Sequence, residues 1–269
     1  MSRRWVVFAL PCLLAGIPKA GLAWGPVAHQ AVTAQAIDTL PGAIKGFYKA
    51  HRLELPTLAL EPTFAEEGAD RRFAVDQLLP FPFAQLPRSE ASLKERFGDA
   101  SAQVGRLPWL IQESYARLVE AFRSQEKDKI LAESDLLAGL VADLHNPLAL
   151  SESWDGQKTG QNGLWVRFSS RFPEALQQRL KLEPDAARFL DEPKEFVFSM
   201  MLSTYIWLDN LLYEDDLARR ARGGSDEIYY DFLALHAKPL LQDRLSRAAE
   251  DVGSYWYTAW TVAGRPSLK

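Results

Sequence analysis

Residues 129–148 read KILAESDLLAGLVADLHNPL. Apolar side chains recur here every three to four positions, the period of an α-helix. The run from Lys129 to His145 stops just before Pro147, which disfavours helix in the residue ahead of it. The same period appears on both sides of this stretch. Val27 to Leu40 is helical and stops at Pro41. Pro108 to Phe122 opens on a proline, which suits a helix start, and carries Trp109, Ile111, Tyr115, Leu118, Val119 and Phe122 along one side. Pro193 to Leu212 opens the same way, and Asp226 to Ala263 reads as two helical segments broken or kinked at Pro239. No alternating strand pattern of useful length and no internal repeat are present. The expectation is an all-α fold in a single multi-helix domain.

Two irregular stretches interrupt the helices. Residues 53–88 hold Pro56, Pro62, Pro80, Pro82 and Pro87, and residues 149–173 are rich in Gly and polar residues. The aromatics Phe81, Phe83, Trp154, Trp165 and Phe168 within them favour ordered loops, and long ordered loops between helices often carry function. Composition agrees with a globular chain: 47% apolar and 25% charged residues exclude disorder. With 31 basic and 35 acidic residues the net charge is -4, which argues against a broad nucleic-acid-binding surface. No apolar run reaches the 18 or so residues that span a bilayer, so no membrane anchor is expected.

The first residues read as a leader. Met1 to Arg4 carries two arginines, Trp5 to Ile17 is apolar, and Gly21-Leu22-Ala23 supplies small residues before Trp24. This is the pattern of a secretory signal peptide over residues 1–23, cleaved near Ala23, with the folded domain over 24–269. Export to the periplasm or outside the cell follows. Ser2-Arg3-Arg4 also permits the twin-arginine route beside the general secretory one. Cys12 lies within the apolar run and follows Pro11, unlike a lipoprotein cysteine. Losing Arg3, Arg4 and Lys19 leaves 28 basic against 35 acidic residues, a charge of -7, and no cysteine. The exported domain is then held by packing or by a metal, not by disulfides.

The histidines are four: His29, His51, His145 and His236. His29 lies five residues after Trp24, and a free α-amino group with a nearby imidazole can bind a metal when both nitrogens are deprotonated. Asp143, two residues before His145, offers an oxygen ligand from another helix. The plainer reading of each is a hydrogen-bonded core or surface residue. His51 and His236 are expected at the surface, and Glu66-Glu67 and Asp215-Asp216 as solvated acidic faces.

The chain resembles the superfamily of zinc-dependent phospholipases C and single-strand-specific nucleases, exported all-α phosphodiesterases with three zinc ions. The likeness begins at Trp24-Gly25-Pro26-Val27-Ala28-His29. It runs through Leu86-Pro87-Arg88, Leu107-Pro108-Trp109 and Ala142-Asp143-Leu144-His145-Asn146-Pro147-Leu148. It continues over Asp155-Gly156-Gln157 to Asn162-Gly163 and closes at Trp256-Tyr257-Thr258-Ala259-Trp260 and Ala263-Gly264-Arg265-Pro266. The resemblance implies a phosphodiester substrate, either a lipid headgroup or single-stranded nucleic acid, and a clustered zinc centre that activates water and stabilises the leaving oxygen.

Measured against that pattern, Trp24, His29 and Asp143 match zinc ligands. The other positions do not. Where the resemblance implies histidine this chain has Phe73, Gly139, Ala149 and Trp165, and Ser169 stands in place of an acidic ligand. An upstream aspartate is ambiguous, with Asp70 the nearest match. Phe, Gly, Ala and Trp offer no lone pair that replaces imidazole. Gly139 within a helix also costs about 1 kcal/mol relative to alanine. The resemblance therefore implies a catalytically inactive or binding relative, a pseudoenzyme holding at most one zinc ion. The alternative is a hydrolase that keeps a single metal at Trp24, His29 and Asp143. His145 matches a position beside the ligands and is expected as a satisfied core histidine.

Overall fold

The computed structural model describes residues 23–55 and 69–268 of the chain. Residues 1–22 of the expected leader, with Cys12, and the Glu66-Glu67 pair lie outside them, whereas Ala23 lies within them. The structure is 67% helix, and no strand occurs among the described residues, so the fold is all-α. The main helices are α1 (Pro26–Thr39), α2 (Gly42–Ala50), α3 (Glu90–Phe97), α4 (Leu107–Ser124), α5 (Lys127–Leu144), α6 (Pro193–Tyr205), α7 (Leu208–Ala221), α8 (Asp226–His236) and α9 (Lys238–Val262). Among the described residues no helix is long and apolar enough to cross a membrane.

Local chemistry sets these boundaries. Pro26, Pro108, Pro193 and Pro239 each sit in a first helical turn, where the missing N–H costs nothing. Leu40 turns extended before Pro41 and ends α1. The hydroxyls of Ser89 and Ser225 accept hydrogen bonds from the backbone of Ser92 and Ile228 and cap α3 and α8. Pro239 separates α8 from α9, as its position in the sequence predicts.

The helix expected over 193–212 is two. In an unbroken helix the Ser203 carbonyl would accept from the Trp207 N–H. Instead Arg244 Nη1 donates to that carbonyl at 3.0 Å, and the Trp207 N–H turns to Thr204 at 3.2 Å. No Pro or Gly marks this break, because its cause is a side chain forty residues away. The loop over 149–173 is likewise more helical than expected. It holds a turn at Pro147–Leu150 and an irregular helical stretch over 164–175.

α5 is the central element. It packs on α1, α4, α6 and α9, while α1 and α4 also pack on α9. The buried apolar residues form one contiguous core. Tyr48 of α2 stacks on Trp256 of α9 at 4.5 Å between ring centres; the Tyr48 hydroxyl shares a hydrogen bond with Ser134 Oγ of α5, and the Trp256 indole N–H donates to the Ser134 carbonyl. Asp215 is not the solvated residue expected from the sequence. It is fully buried on α7, where Arg167, Gln161 and Tyr229 all donate to it, fixing the 149–173 loop to α7 and α8. Its neighbour Asp216 pairs with the exposed Arg220.

Backbone hydrogen bonds anchor the segment 69–74. The free N–H groups at the start of α4 turn to it: Arg106 donates to the Asp70 carbonyl at 3.0 Å and Leu107 to that of Arg72 at 3.2 Å. Phe73 donates to Ala149 and Ala74 to Val104. Gly105 makes this approach possible. Its φ is +88°, and a β-carbon there would lie 2.2 Å from the Arg72 carbonyl oxygen. Gly105→Ala should therefore lower stability by about 2–3 kcal/mol through backbone strain and displacement of residues 69–72. Urea unfolding checks this, and an unchanged midpoint would contradict the clamp.

Candidate functional site

Arg71 ends a turn over 69–71, the backbone of 72–74 is irregular, and the contacts of each side chain show its direction. Arg71 points inward and Arg72 away from it. The Arg71 side chain is 1% exposed, and its Nε lies 2.6 Å from Asp143 Oδ2. Asp143 itself is fully buried in the last turn of α5. On the other carboxylate oxygen, the Ala23 N–H donates at 3.0 Å, and His29 Nε2 of α1 lies at 3.1 Å. That imidazole nitrogen has no well-aligned hydrogen-bond partner among the described residues. Burial by itself would push the Asp143 carboxyl up. The Arg71 guanidinium, and after it His29, outweigh burial and hold it below the usual carboxylate range.

The residues around Trp24 close the site. Trp24 is fully buried, its indole N–H donates to the Ala142 carbonyl at 2.8 Å, and its ring packs 5.5 Å from Phe168. Asn146 ties three segments together. Its amide nitrogen donates to the Ala23 carbonyl at 2.6 Å and to Ser169 Oγ at 2.9 Å, and its oxygen accepts from Leu148. The Gly25 N–H donates to the Ser169 carbonyl, and a β-carbon on Gly25 would meet Ser170 at 2.8 Å. Residues 23–25 thus lie as a buried strap between the end of α5 and the 164–175 stretch.

The expected ligand residues divide accordingly. Trp24, His29 and Asp143 come together, and Ser169 joins them through Asn146. Phe73 and Ala149 are buried neighbours joined by a 2.7 Å backbone hydrogen bond, and Phe73 packs edge-on against Trp109 at 5.1 Å. Trp165 packs edge-on against Trp154, outside the Asp143 cluster. Gly139 is buried within α5. Asp70 is half-buried and enters no cluster of metal-binding side chains, since no group of three His, Cys, Asp or Glu residues suited to a metal occurs among the described residues. Asp76, in the segment expected to carry a ligand, instead accepts from Ser151, Tyr205 and the Glu152 backbone.

His145 is buried and paired with Asp251 of α9 at 3.0 Å, as expected of a core histidine. His236 is exposed and stacks on Phe232, whereas His51 is half-buried against Phe47 beside Glu54. The residue that sequence reasoning missed is Arg71. Its signal was present: a strongly basic Arg71-Arg72 pair immediately before the Phe73 that replaces an expected ligand.

Neither a protein-family model nor a curated protein matches the chain. The family resemblance rests on the order and spacing of its motifs.

The donors at Asp143 do not fit a three-zinc centre. Two protein side chains supply them, and a guanidinium already covers one carboxylate oxygen. The lowered carboxyl pKa has a consequence for stability. A carboxylate depressed in the folded state contributes stability above its unfolded value, near pH 3.9, and that contribution is lost as pH falls through the lower folded value. Asp143→Asn should cost about 3–5 kcal/mol at pH 7, because it strands a buried guanidinium. The gap from the parent protein should narrow below about pH 4. Denaturant unfolding at a series of pH values measures it, and a gap constant from pH 7 to pH 2 would count against the ion pair.

Proposed function

We propose that this chain is a catalytically inactive, exported relative of the zinc-dependent phospholipases C and single-strand-specific nucleases, acting by binding rather than hydrolysis. The observation that carries the reading is the Arg71 guanidinium, 2.6 Å from the Asp143 carboxylate and buried with it. A fixed organic cation stands against the one acidic ligand that the resemblance retains. Guanidinium neutralises a carboxylate but offers no lone pair and no open coordination position, so it cannot lower the pKa of a bound water or polarise a phosphoryl oxygen as zinc does. Support also comes from the juxtaposition of Asp143 with Trp24 and His29, more than a hundred residues before it, in one buried cluster. The remaining positions hold buried Phe73, Gly139, Ala149, Trp165 and Ser169.

A second reading has one observation in its favour. His29 Nε2 is buried with no well-aligned hydrogen-bond partner among the described residues, 3.1 Å from Asp143 Oδ1. With the α-amino group that cleavage after Ala23 would free on Trp24, it offers a site for one zinc ion, and a single-metal hydrolase follows from that.

The two readings separate in one set of measurements. Intact-mass analysis first establishes whether the exported chain starts at Trp24. Elemental analysis after dialysis should then find no more than one zinc per chain. Single-stranded nucleic acid and phosphatidylcholine should show no hydrolysis above background, with or without added zinc. Turnover that a chelator removes and that His29→Gln abolishes, with the Arg71–Asp143 pair left intact, would overturn the inactive assignment in favour of the single-metal hydrolase.

A further inference from the structure

Arg72 is the counterpart of Arg71 on the outer side of the same segment, and it lacks what Arg71 has. The other arginines with strongly buried side chains each face a carboxylate: Arg71 faces Asp143, Arg167 faces Asp215 and Arg244 faces Asp243. The Arg72 guanidinium has no acceptor among the described residues, and its Nη1 is buried. Burial pushes it below the usual arginine value. Its flat face is covered, with the guanidinium carbon 4.2 Å from the centre of the Trp154 ring. Stacking of this kind stabilises the cation through the ring quadrupole but leaves the N–H groups at its edge unmet.

The same arginine lines a cavity of about 240 Å³ with Gln77, Gln103, Ser151, Glu152 and Trp154. The carboxylates nearby are already committed. Glu152 is paired with Lys158, and Asp76 accepts from Ser151, Tyr205 and the Glu152 backbone. Gln77 and Gln103 are exposed and offer amide donors at the cavity wall. The volume falls below the roughly 300 Å³ at which pockets for drug-sized ligands begin, which sets a small ligand.

We infer that this cavity binds the oxyanion group of a small ligand, a carboxylate or a phosphate, with the planar fork of Arg72 as its main donor and Trp154 holding that fork in place. A guanidinium matches both groups through paired N–H donors, and its geometry is fixed before the ligand arrives because the 69–74 backbone is clamped at Gly105. The inference does not rest on the family resemblance or on the state of the Asp143 cluster, so either can fail without the other.

The test is calorimetric titration of the full folded protein with inorganic phosphate and, separately, with acetate at low ionic strength. Saturable one-to-one binding of at least one of the two is expected, and which one binds identifies the class of anion. Arg72→Gln should weaken it at least tenfold, while Arg117→Gln, at an exposed ion pair on α4, should leave it unchanged. Should Arg72→Gln fail to fold, Gln77→Glu combined with Gln103→Glu changes only exposed residues and should weaken binding severalfold by placing negative charge at the wall. No saturable binding of either anion, or equal binding by a folded Arg72→Gln or by the double glutamate variant, would overturn the inference.

Discussion

A carboxylate taken wholly out of water needs a cation beside it, and at Asp143 that cation is Arg71. The pair joins the end of the central helix α5 to the 69–74 segment. His29 and the Ala23 N–H, on the other carboxylate oxygen, bring α1 and the buried strap over 23–25 to the same point. Three stretches distant in sequence, residues 23–29, the 69–74 segment and the end of α5, therefore meet at one carboxylate. Replacing such a pair by apolar residues is often tolerated, whereas removing one member leaves an uncompensated buried charge. The arrangement locks in two ways: the backbone of Arg71 is fixed by the start of α4, and its side chain is fixed by Asp143.

At Asp143 organic groups meet the carboxylate: Arg71 neutralises it on one oxygen, and His29 and the Ala23 N–H lie on the other. The apolar side chains at Phe73 and Ala149 then find packing partners in Trp109 and in each other's backbone, so the interior is filled without polar groups that would need hydration. Arg72, one residue along, lies against Trp154 with no carboxylate partner among the described residues, so the outer cavity and the inner pair differ in chemistry while sharing one backbone.

Much of the helical layout is legible in the sequence because local signals dictate it. Prolines at Pro26, Pro108, Pro193 and Pro239 mark helix starts, Pro41 marks a stop, and apolar spacing marks the buried faces. The break at Trp207 was not legible, since it depends on Arg244 capturing the Ser203 carbonyl from another helix. Nor was the burial of Asp215, whose partners Gln161, Arg167 and Tyr229 come from a loop and a helix that adjacency does not reveal. At the site, Trp24, His29 and Asp143 could be picked out as candidates, but not the hydrogen bonds and ion pair that hold them. The role of Arg71 was not legible, because its partner Asp143 lies 72 residues away and the Arg71-Arg72 pair does not say which of the two turns inward.

The central claim is that Arg71 supplies the charge that Asp143 requires. A double-mutant cycle in denaturant unfolding measures this directly, with Arg71→Met, Asp143→Leu and the two combined. Each single variant should lose about 3–5 kcal/mol, and the double variant should recover most of that loss, giving a coupling energy of about 3 kcal/mol or more. Additive losses, with a coupling below about 0.5 kcal/mol, would mean that the two residues are not energetically joined and would contradict the account.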